Sequence, residues 1–169
     1  MAHRTGVTSS KKEKASGRVA PAVRLLATAG GLGYLPPAPG TYASALGAAL
    51  CLPMLSLPWP VLAGAAAVLT GVAIWAAGQV ATARGIPDPS EVVIDEIAGM
   101  WWAALLLPAS PYDLVAVFLL FRLFDVVKPA PIPRLERLPG GLGIVADDVA
   151  AGLLARVAWW LLKINFDFL

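Results

Sequence analysis

An uncharged apolar run sets the first constraint on how this chain folds. Residues Val61–Ala83, VLAGAAAVLTGVAIWAAGQVATA, contain no Asp, Glu, Lys or Arg. An α-helix of about 20 predominantly apolar residues is long enough to cross the hydrocarbon core of a bilayer. The whole chain has the same character: 14% of its 169 residues are charged, against about 25% in soluble domains, and its mean hydropathy is +0.72. The sequence therefore predicts an integral membrane protein.

Four further apolar segments of helical pattern accompany this run. They are Ala43–Leu57, Ile97–Leu107, Leu114–Val127 and Asp148–Ile164. Because the bilayer core admits only backbones that satisfy their own hydrogen bonds, we expect an all-α integral membrane helical bundle of about four to five apolar helices. Ala43–Leu57 is shorter than the about 20 residues that a spanning helix needs, so the sequence leaves open whether it crosses the bilayer.

The N-terminal residues differ in composition from the rest of the chain. Residues 1–20 are polar and rich in Lys and Ser, which predicts a disordered basic cytoplasmic tail, and residues 21–169 are predicted to form a single helical membrane domain. Too few aromatic residues accompany these charges for a nucleic-acid surface, so no nucleic-acid partner is expected. Six of the thirteen basic residues precede the first apolar run, namely Arg4, Lys11, Lys12, Lys14, Arg18 and Arg24.

The distribution of basic residues predicts a topology. Lys and Arg concentrate in cytoplasmic loops, and the turns Pro58–Pro60 and Pro108–Asp113 contain neither, so these turns are placed outside. With the tail inside, every cluster of acidic residues falls at the cytoplasmic face. These residues are Asp88, Asp95, Glu96, Asp125, Asp147 and Asp148.

Carboxylates gathered at one face indicate a metal site. Like charges close together repel one another, and a divalent cation removes that repulsion. Mg²⁺ in particular prefers a few carboxylates together with water and substrate phosphate. The adjacent pairs Asp95-Glu96 and Asp147-Asp148, with Asp125, are therefore predicted to bind a metal ion at headgroup depth.

Phosphate-binding features accompany the acids. Arg122 lies three residues before Asp125, on the same helical face, and Arg grips phosphate in bidentate fashion. Lys128 adds a second cation. The stretch Gly30–Ser44 is rich in Gly and Pro, so we expect it to be an irregular loop, which either offers backbone N–H groups to an anion or is an ordinary connection. This combination predicts phosphoryl-group chemistry on a lipid.

Smaller patterns give further local predictions. Thr41 or Ser44 is expected to cap the helix after the Gly-rich loop. Prolines at 129, 131 and 133 predict an extended segment. The pair Asp147-Asp148 is expected to open the last helix, whose spacing places Asp148, Gly152 and Arg156 on one face.

Several chemistries are disfavoured by what the chain lacks. Cys51 lies among apolar residues without a neighbouring cation, and His3, in the tail, is the chain's one histidine, so thiol and histidine phosphate transfer are not expected. The sequence leaves open whether metal-activated water or a carboxylate such as Asp95 or Asp125 is the nucleophile. A small transporter using Asp95, Glu96 and Asp125 as a relay is the non-enzyme alternative. A phosphotransferase acting on CDP-alcohols is a weaker one, because its Asp-Gly motif is missing.

Three blocks of sequence carry a family resemblance. They are GYLPPAPGTYAS at Gly33–Ser44, DPSEVVIDEIAGMW at Asp88–Trp101, and, within Phe121–Gly152, FRLFDVVKPAPI and GGLGIVADDVAAG. Through these blocks the chain resembles phosphatidylglycerophosphatase A over about residues 25–157. The resemblance implies a Mg²⁺-dependent enzyme that hydrolyses phosphatidylglycerophosphate to phosphatidylglycerol and phosphate. It also implies a multi-pass protein of the bacterial inner membrane with its active site on the cytoplasmic side.

The resemblance assigns roles position by position. The implied partners are the phospholipid substrate and the bilayer, and the sequence leaves homo-oligomer formation open. The implied catalytic and metal-binding residues are Asp95, Glu96, Asp125, Asp147 and Asp148. The implied phosphate-binding residues are Arg122, Lys128, Gly40, Thr41 and Ser44.

Overall fold

The computed structural model describes residues 19–166, and all regular secondary structure within that range is helical. This confirms the all-α prediction, whereas the predicted tail lies almost entirely outside the described residues. Short 3-10 turns occupy Ala29–Tyr34, Leu52–Ser56 and Ile132–Arg137. The α-helices are α1 (Pro21–Ala27), α2 (Pro39–Cys51), α3 (Trp59–Arg84), α4 (Ile94–Ala103), α5 (Pro111–Val127) and α6 (Gly141–Phe166).

Local sequence sets most helix boundaries. Helices α2, α3 and α5 each have Pro in their first turn, where its missing N–H costs no hydrogen bond. Ser110 caps α5, since its hydroxyl accepts a hydrogen bond from the backbone N–H of Asp113 at 3.3 Å. Helix α3 ends before Gly85, whose φ of 66° lies in the left-handed region that glycine adopts without strain.

Close contact between α4 and α6 organises the bundle around the acidic residues. A Cβ atom on Gly99 would lie 2.6 Å from the carbonyl oxygen of Asp148, and one on Gly152 would clash with the carbonyl of Gly99. Arg156 donates to the carbonyl oxygen of Leu105 at 2.6 Å. The face predicted from Asp148, Gly152 and Arg156 is therefore the face that packs against α4 and the turn after it. This contact brings the first turn of α4 beside the second turn of α6.

Apolar side chains fill the space between the helices. Phe121 of α5 and Met100 of α4 are fully buried in one core cluster, which also includes Cys51. Cys51 is fully buried among apolar side chains, in keeping with its apolar neighbours in the sequence. A second cluster joins α1, α3, α4 and the start of α6, and in it Ala73, Ala76 and Ala77 of α3 allow close helix packing.

The Gly-rich stretch is more regular than predicted. It contains the 3-10 turn Ala29–Tyr34, and α2 begins inside it at Pro39. Gly30 and Gly31 take φ values of 72° and 102°, so the backbone leaves the helical conformation at these two residues and kinks within the turn. The expectation of a wholly irregular loop was wrong because glycine permits the bend and proline favours the first helical turn.

The predicted caps of α2 were also wrong. The residue at the N-cap position is Ala38, which makes no side-chain capping bond, and Thr41 and Ser44 both lie inside the helix. The hydroxyl of Ser44 instead lies 2.8 Å from the carbonyl oxygen of Gly40, one turn earlier. Helix α2 therefore starts earlier than the hydroxyl pattern indicated.

Two predictions after α5 need correction. The segment expected to be extended ends in the 3-10 turn Ile132–Arg137. The last helix begins at Gly141, so Asp147 and Asp148 lie within α6 and do not open it. The early start has a packing reason: Gly141 approaches α3 so closely that a Cβ atom would meet the backbone nitrogen of Gly78 at 2.7 Å.

Membrane-spanning character is clearest for α3. Among the described residues, α3 is the one helix long and apolar enough to cross a bilayer by length and composition, as the uncharged run predicted. The remaining helices of the predicted membrane bundle do not meet that test and stay a prediction.

Candidate metal and phosphate site

Three carboxylates from three helices meet at one point. Glu96 of α4, Asp125 of α5 and Asp148 of α6 each offer an oxygen atom, and these atoms lie within 4.8 Å of one another. Asp125 and Asp148 are only 9% and 4% exposed. Clustered carboxylates held this close repel one another unless a cation lies between them. The geometry suits one hard divalent cation with oxygen ligands.

Two further acids line the same cavity. Asp95 and Asp147 border a space of about 320 Å³ that also reaches Glu96, Asp125 and Asp148. Within the described range, the Oδ1 atoms of Asp95 and of Asp147 are buried and accept no hydrogen bond. Buried polar atoms without partners are costly, and a bound cation with its water ligands would satisfy them. The five predicted acids are thus brought to one cavity and fit a divalent cation.

Arg122 lies against the acids from the α5 side. Its Nη1 is paired with Glu96, lies 2.9 Å from Oδ2 of Asp125, and lies 3.2 Å from the hydroxyl oxygen of Ser44. The Ser44 hydroxyl is also 2.9 Å from Oε2 of Glu96. Arg122 therefore holds two candidate ligands in place and joins them to α2.

The first turn of α2 packs directly on this cluster. A Cβ atom on Gly40 would clash with Oε1 of Glu96, so any larger residue there would have to displace this carboxylate. The first backbone N–H groups of a helix have no partner within the helix, and Gly40 and Thr41 supply two of them here. Thr41 is half-buried, and its side chain makes no hydrogen bond to the residues described.

Lys128 lies on the side of the cavity opposite to Arg122, and its ammonium group pairs with two carboxylates. Its ammonium group donates to Oδ2 of Asp147 at 2.7 Å and to Oε1 of Glu136 at 2.5 Å. Partial burial disfavours the charged amine, but these hydrogen bonds and charges outweigh that effect and raise the pKa of Lys128. Lys128 is therefore a permanent cation that neutralises part of the acidic cavity.

Sequence reasoning missed Glu136. This acid lies in the 3-10 turn Ile132–Arg137 between two Arg residues, and no spacing pattern connects it to Lys128. Asp88, in the loop before α4, also lines the cavity. Burial raises the pKa of Asp88, Lys128 opposes this rise, and Glu136 and Asp125 add to it. Asp88 therefore lies beside the five predicted acids, at the same cavity.

Comparison with known proteins gives a consistent family. The family model described as phosphatidylglycerophosphatase A matches residues 25–163. A phosphatidylglycerophosphatase A of Escherichia coli is 34% identical over 133 residues, covering 78% of this chain and 77% of that protein. The protein of that name in Haemophilus influenzae is 34% identical over 151 residues, covering 83% of this chain and 91% of that protein.

A third relative has a different name but a similar degree of sequence identity. A Bacteroides thetaiotaomicron protein, provisionally named a phosphatidylinositol-3-phosphatase, is 36% identical over 151 residues, covering 82% of this chain and 94% of that protein. No solved structure matches the chain.

Proposed function

This chain is an enzyme of the phosphatidylglycerophosphatase A family, and we propose that it hydrolyses phosphatidylglycerophosphate to phosphatidylglycerol and phosphate with the help of Mg²⁺. The observation that carries this proposal is the meeting of Glu96, Asp125 and Asp148 from three helices within 4.8 Å. Carboxylates, cations and a helix N-terminus around one cavity suit the transfer of a phosphoryl group to water.

We assign the metal to the five acids. Glu96, Asp125 and Asp148 would hold it, and Asp95 and Asp147 would bind it or its water ligands through their unpaired oxygen atoms. When bound, the ion neutralises charge on the phosphate and lowers the pKa of a coordinated water.

The chain's own residues orient the substrate phosphate. The N–H groups of Gly40 and Thr41 at the start of α2 would donate hydrogen bonds to phosphate oxygens, and Ser44 holds this turn against Glu96. Arg122 keeps Glu96 and Asp125 in place and adds positive charge beside the phosphate. Lys128 keeps Asp147 oriented.

We place this cavity at the cytoplasmic face of the bacterial inner membrane. Large apolar side chains are exposed along α5 and α6, with Val126 72% and Trp160 54% accessible, and such surfaces suit contact with lipid. Asp113 and Lys163 form an ion pair of 2.8 Å at the opposite end of these helices. Twelve residues of helix separate Asp113 from Asp125, which is about 18 Å along the axis. The proposed multi-pass topology and cytoplasmic site rest on this distance between Asp113 and Asp125 and on the Lys and Arg residues in the loops of the predicted cytoplasmic face.

Two substrates deserve direct comparison. The names of the relatives point to phosphatidylglycerophosphate and, for the Bacteroides protein, to phosphatidylinositol 3-phosphate. Both are lipids that carry a phosphate monoester on a polyol headgroup, so the second is the alternative substrate. The transporter alternative fits less well, because a relay needs acids spread through the membrane, whereas three of these acids share one point.

Phosphate release from purified protein in detergent tests the proposal. We expect release from phosphatidylglycerophosphate with Mg²⁺, loss of release with EDTA, and recovery when Mg²⁺ is restored. Faster release from phosphatidylinositol 3-phosphate would favour the alternative substrate. No release from either lipid would contradict the enzyme assignment.

A further inference from the structure

The acidic cavity, the space of about 320 Å³ lined by the five predicted acids, has a rim with one polar and one apolar edge. Three of the described residues that line it are exposed, namely Asp88 and Ser90 in the loop before α4 and Val126 at the end of α5. Val126 is 72% accessible, although its neighbour Asp125 is buried among the candidate metal ligands. The mouth of the cavity therefore reaches the apolar outer surface of α5 as well as the polar loop.

Val126 continues a row of exposed apolar side chains along α5. Val115, Leu119 and Leu123 are each more than half exposed, and successive spacings of four, four and three residues keep them on one helical face with Val126. We call these four residues the α5 stripe. It follows the helix for about 16 Å at 1.5 Å per residue. An apolar path thus leads along α5 to the mouth of the acidic cavity.

A phospholipid with a terminal phosphate has the two chemical parts that this arrangement separates. Its phosphate is an anion and suits the cavity, where a metal ion and Arg122 supply positive charge. Its acyl chains are apolar, and moving them from hydrocarbon into water is costly. A mouth that opens beside an apolar helix face lets the phosphate enter while the chains stay in the bilayer.

We propose that the substrate enters the acidic cavity sideways from the bilayer, over Val126, and that its acyl chains lie along the α5 stripe. The inference rests on the proposed phosphatase function, which places the phosphate monoester in this cavity. Val126 is then a specificity-determining residue. It favours phosphate monoesters that membrane lipids carry over water-soluble ones, because only a lipid supplies the apolar contact at the rim.

Nitroxide labels on introduced cysteines test whether the mouth faces lipid. The chain's one native cysteine, Cys51, is fully buried, so the labelling reagent reaches the introduced one. In liposomes a label on Val126→Cys should collide more often with oxygen, which concentrates in hydrocarbon, than with a water-soluble nickel chelate. Leu119→Cys, on the same stripe, should behave alike. Arg137→Cys is the aqueous control, because Arg137 is exposed in a polar turn and does not line the cavity, and it should show the reverse preference.

A bound lipid should cover the stripe one turn away from the mouth. The phosphonate analogue of phosphatidylglycerophosphate, which is not hydrolysed, should in the presence of Mg²⁺ slow the label on Leu123→Cys and lower its collisions with oxygen. Methylphosphonate carries the same anion without acyl chains and should change neither. Val68→Cys gives the matched control, since Val68 is a similarly exposed apolar residue on α3. Its label should not respond to either phosphonate.

Substitution at the rim measures what the apolar contact contributes to substrate binding. For Val126→Gln in vesicles we expect the KM for phosphatidylglycerophosphate to rise about tenfold, the scale of losing the burial of one valine side chain, with a much smaller change in kcat. Val127→Gln is the matched control, because Val127 is the next residue, is also exposed, and does not line the cavity. It should keep the wild-type KM.

Several results would overturn the inference. A label at Val126 that prefers the nickel chelate would show that the mouth faces water. Spin–spin coupling between labels at Leu123 would show that a second copy of the chain covers the stripe. An unresponsive Leu123 label, or an unchanged KM in Val126→Gln, would remove the lipid from this path.

Lipid hydrolysis is scored separately from these measurements. If phosphatidylglycerophosphate is hydrolysed but the labels give any of these contrary results, only the lateral entrance is wrong. If the lipid phosphonate covers the Leu123 label but no lipid is hydrolysed, the entrance stands and the proposed function is wrong.

Discussion

At the scale of single residues, Asp125 occupies the centre of the acidic cluster. It shares the ligand point with Glu96 and Asp148, and Arg122 lies 2.9 Å from its Oδ2. Asp125→Asn keeps the shape and removes the charge, so we expect phosphate release to fall at least about 100-fold, the scale for losing a key electrostatic group. Initial rates of phosphate release in detergent measure the loss.

Asp113 provides the matched control for that substitution. It lies on the same helix but pairs with Lys163 at the other end. Asp113→Asn should lower thermal stability through the lost ion pair while retaining most of the specific activity. Equal activity of Asp125→Asn and the wild-type chain would remove Asp125 from the site.

Gly40 is a second residue whose role is steric. Because a Cβ atom there would clash with Oε1 of Glu96, Gly40→Ala must displace that carboxylate or the first turn of α2. A displacement of about 1 Å in a catalytic group commonly costs about 100-fold in rate, so we expect a loss of that order in kcat with the fold retained.

The glycine control lies on α3. Gly64 has no atom within 4 Å of the position of an added Cβ. Gly64→Ala should therefore leave turnover unchanged. If Gly40→Ala also turns over normally, the close packing of α2 on Glu96 has no part in catalysis.

At the scale of secondary-structure elements, the contact between α4 and α6 determines how the acidic residues are placed. Gly99 and Gly152 allow the two backbones to touch, and this contact places Glu96 beside Asp148. Gly152→Ala would force the helices apart, and overpacking of this kind costs about 1–3 kcal/mol of stability. We expect a lower midpoint in thermal unfolding in detergent together with reduced activity.

Gly71 provides the matched control for Gly152→Ala. Gly71, within α3, has nothing within 4 Å of an added Cβ. Gly71→Ala should leave the unfolding midpoint unchanged or raise it, because Ala is the better helix former by about 0.5–1 kcal/mol. Similar destabilisation by both substitutions would mean that the α4–α6 contact is no closer than an ordinary helix contact.

Metal binding should be visible at the scale of the whole molecule. The cavity joins α4, α5 and α6, so an ion bound there stabilises the folded bundle relative to any state in which these helices separate. We expect Mg²⁺ to raise the unfolding midpoint of the wild-type chain and EDTA to reverse the change. The shift should be much smaller in Asp148→Asn. An identical shift in both proteins would place the ion elsewhere.

Much of this architecture was predictable because its causes are local. The uncharged run predicted α3, since hydropathy and helix length depend only on neighbouring residues. One boundary was wrong because a distant contact outweighed the local pattern. Helix α6 begins at Gly141 because that glycine packs on α3, and no neighbouring residue signals this contact.

The sequence by itself determined the apolar helical character, the family resemblance and which acids were candidates for the site, because composition and motif spacing are properties of the chain. Tertiary structure alone decided which of these groups touch. Ser44 and Arg122 meet across 78 positions, and Ser44 and Glu96 across 52. Such contacts depend on how close α2, α4, α5 and α6 approach one another, and buried glycines set that distance. The pairing of Lys128 with Glu136 arises in the same way, because the 3-10 turn Ile132–Arg137 packs against α6.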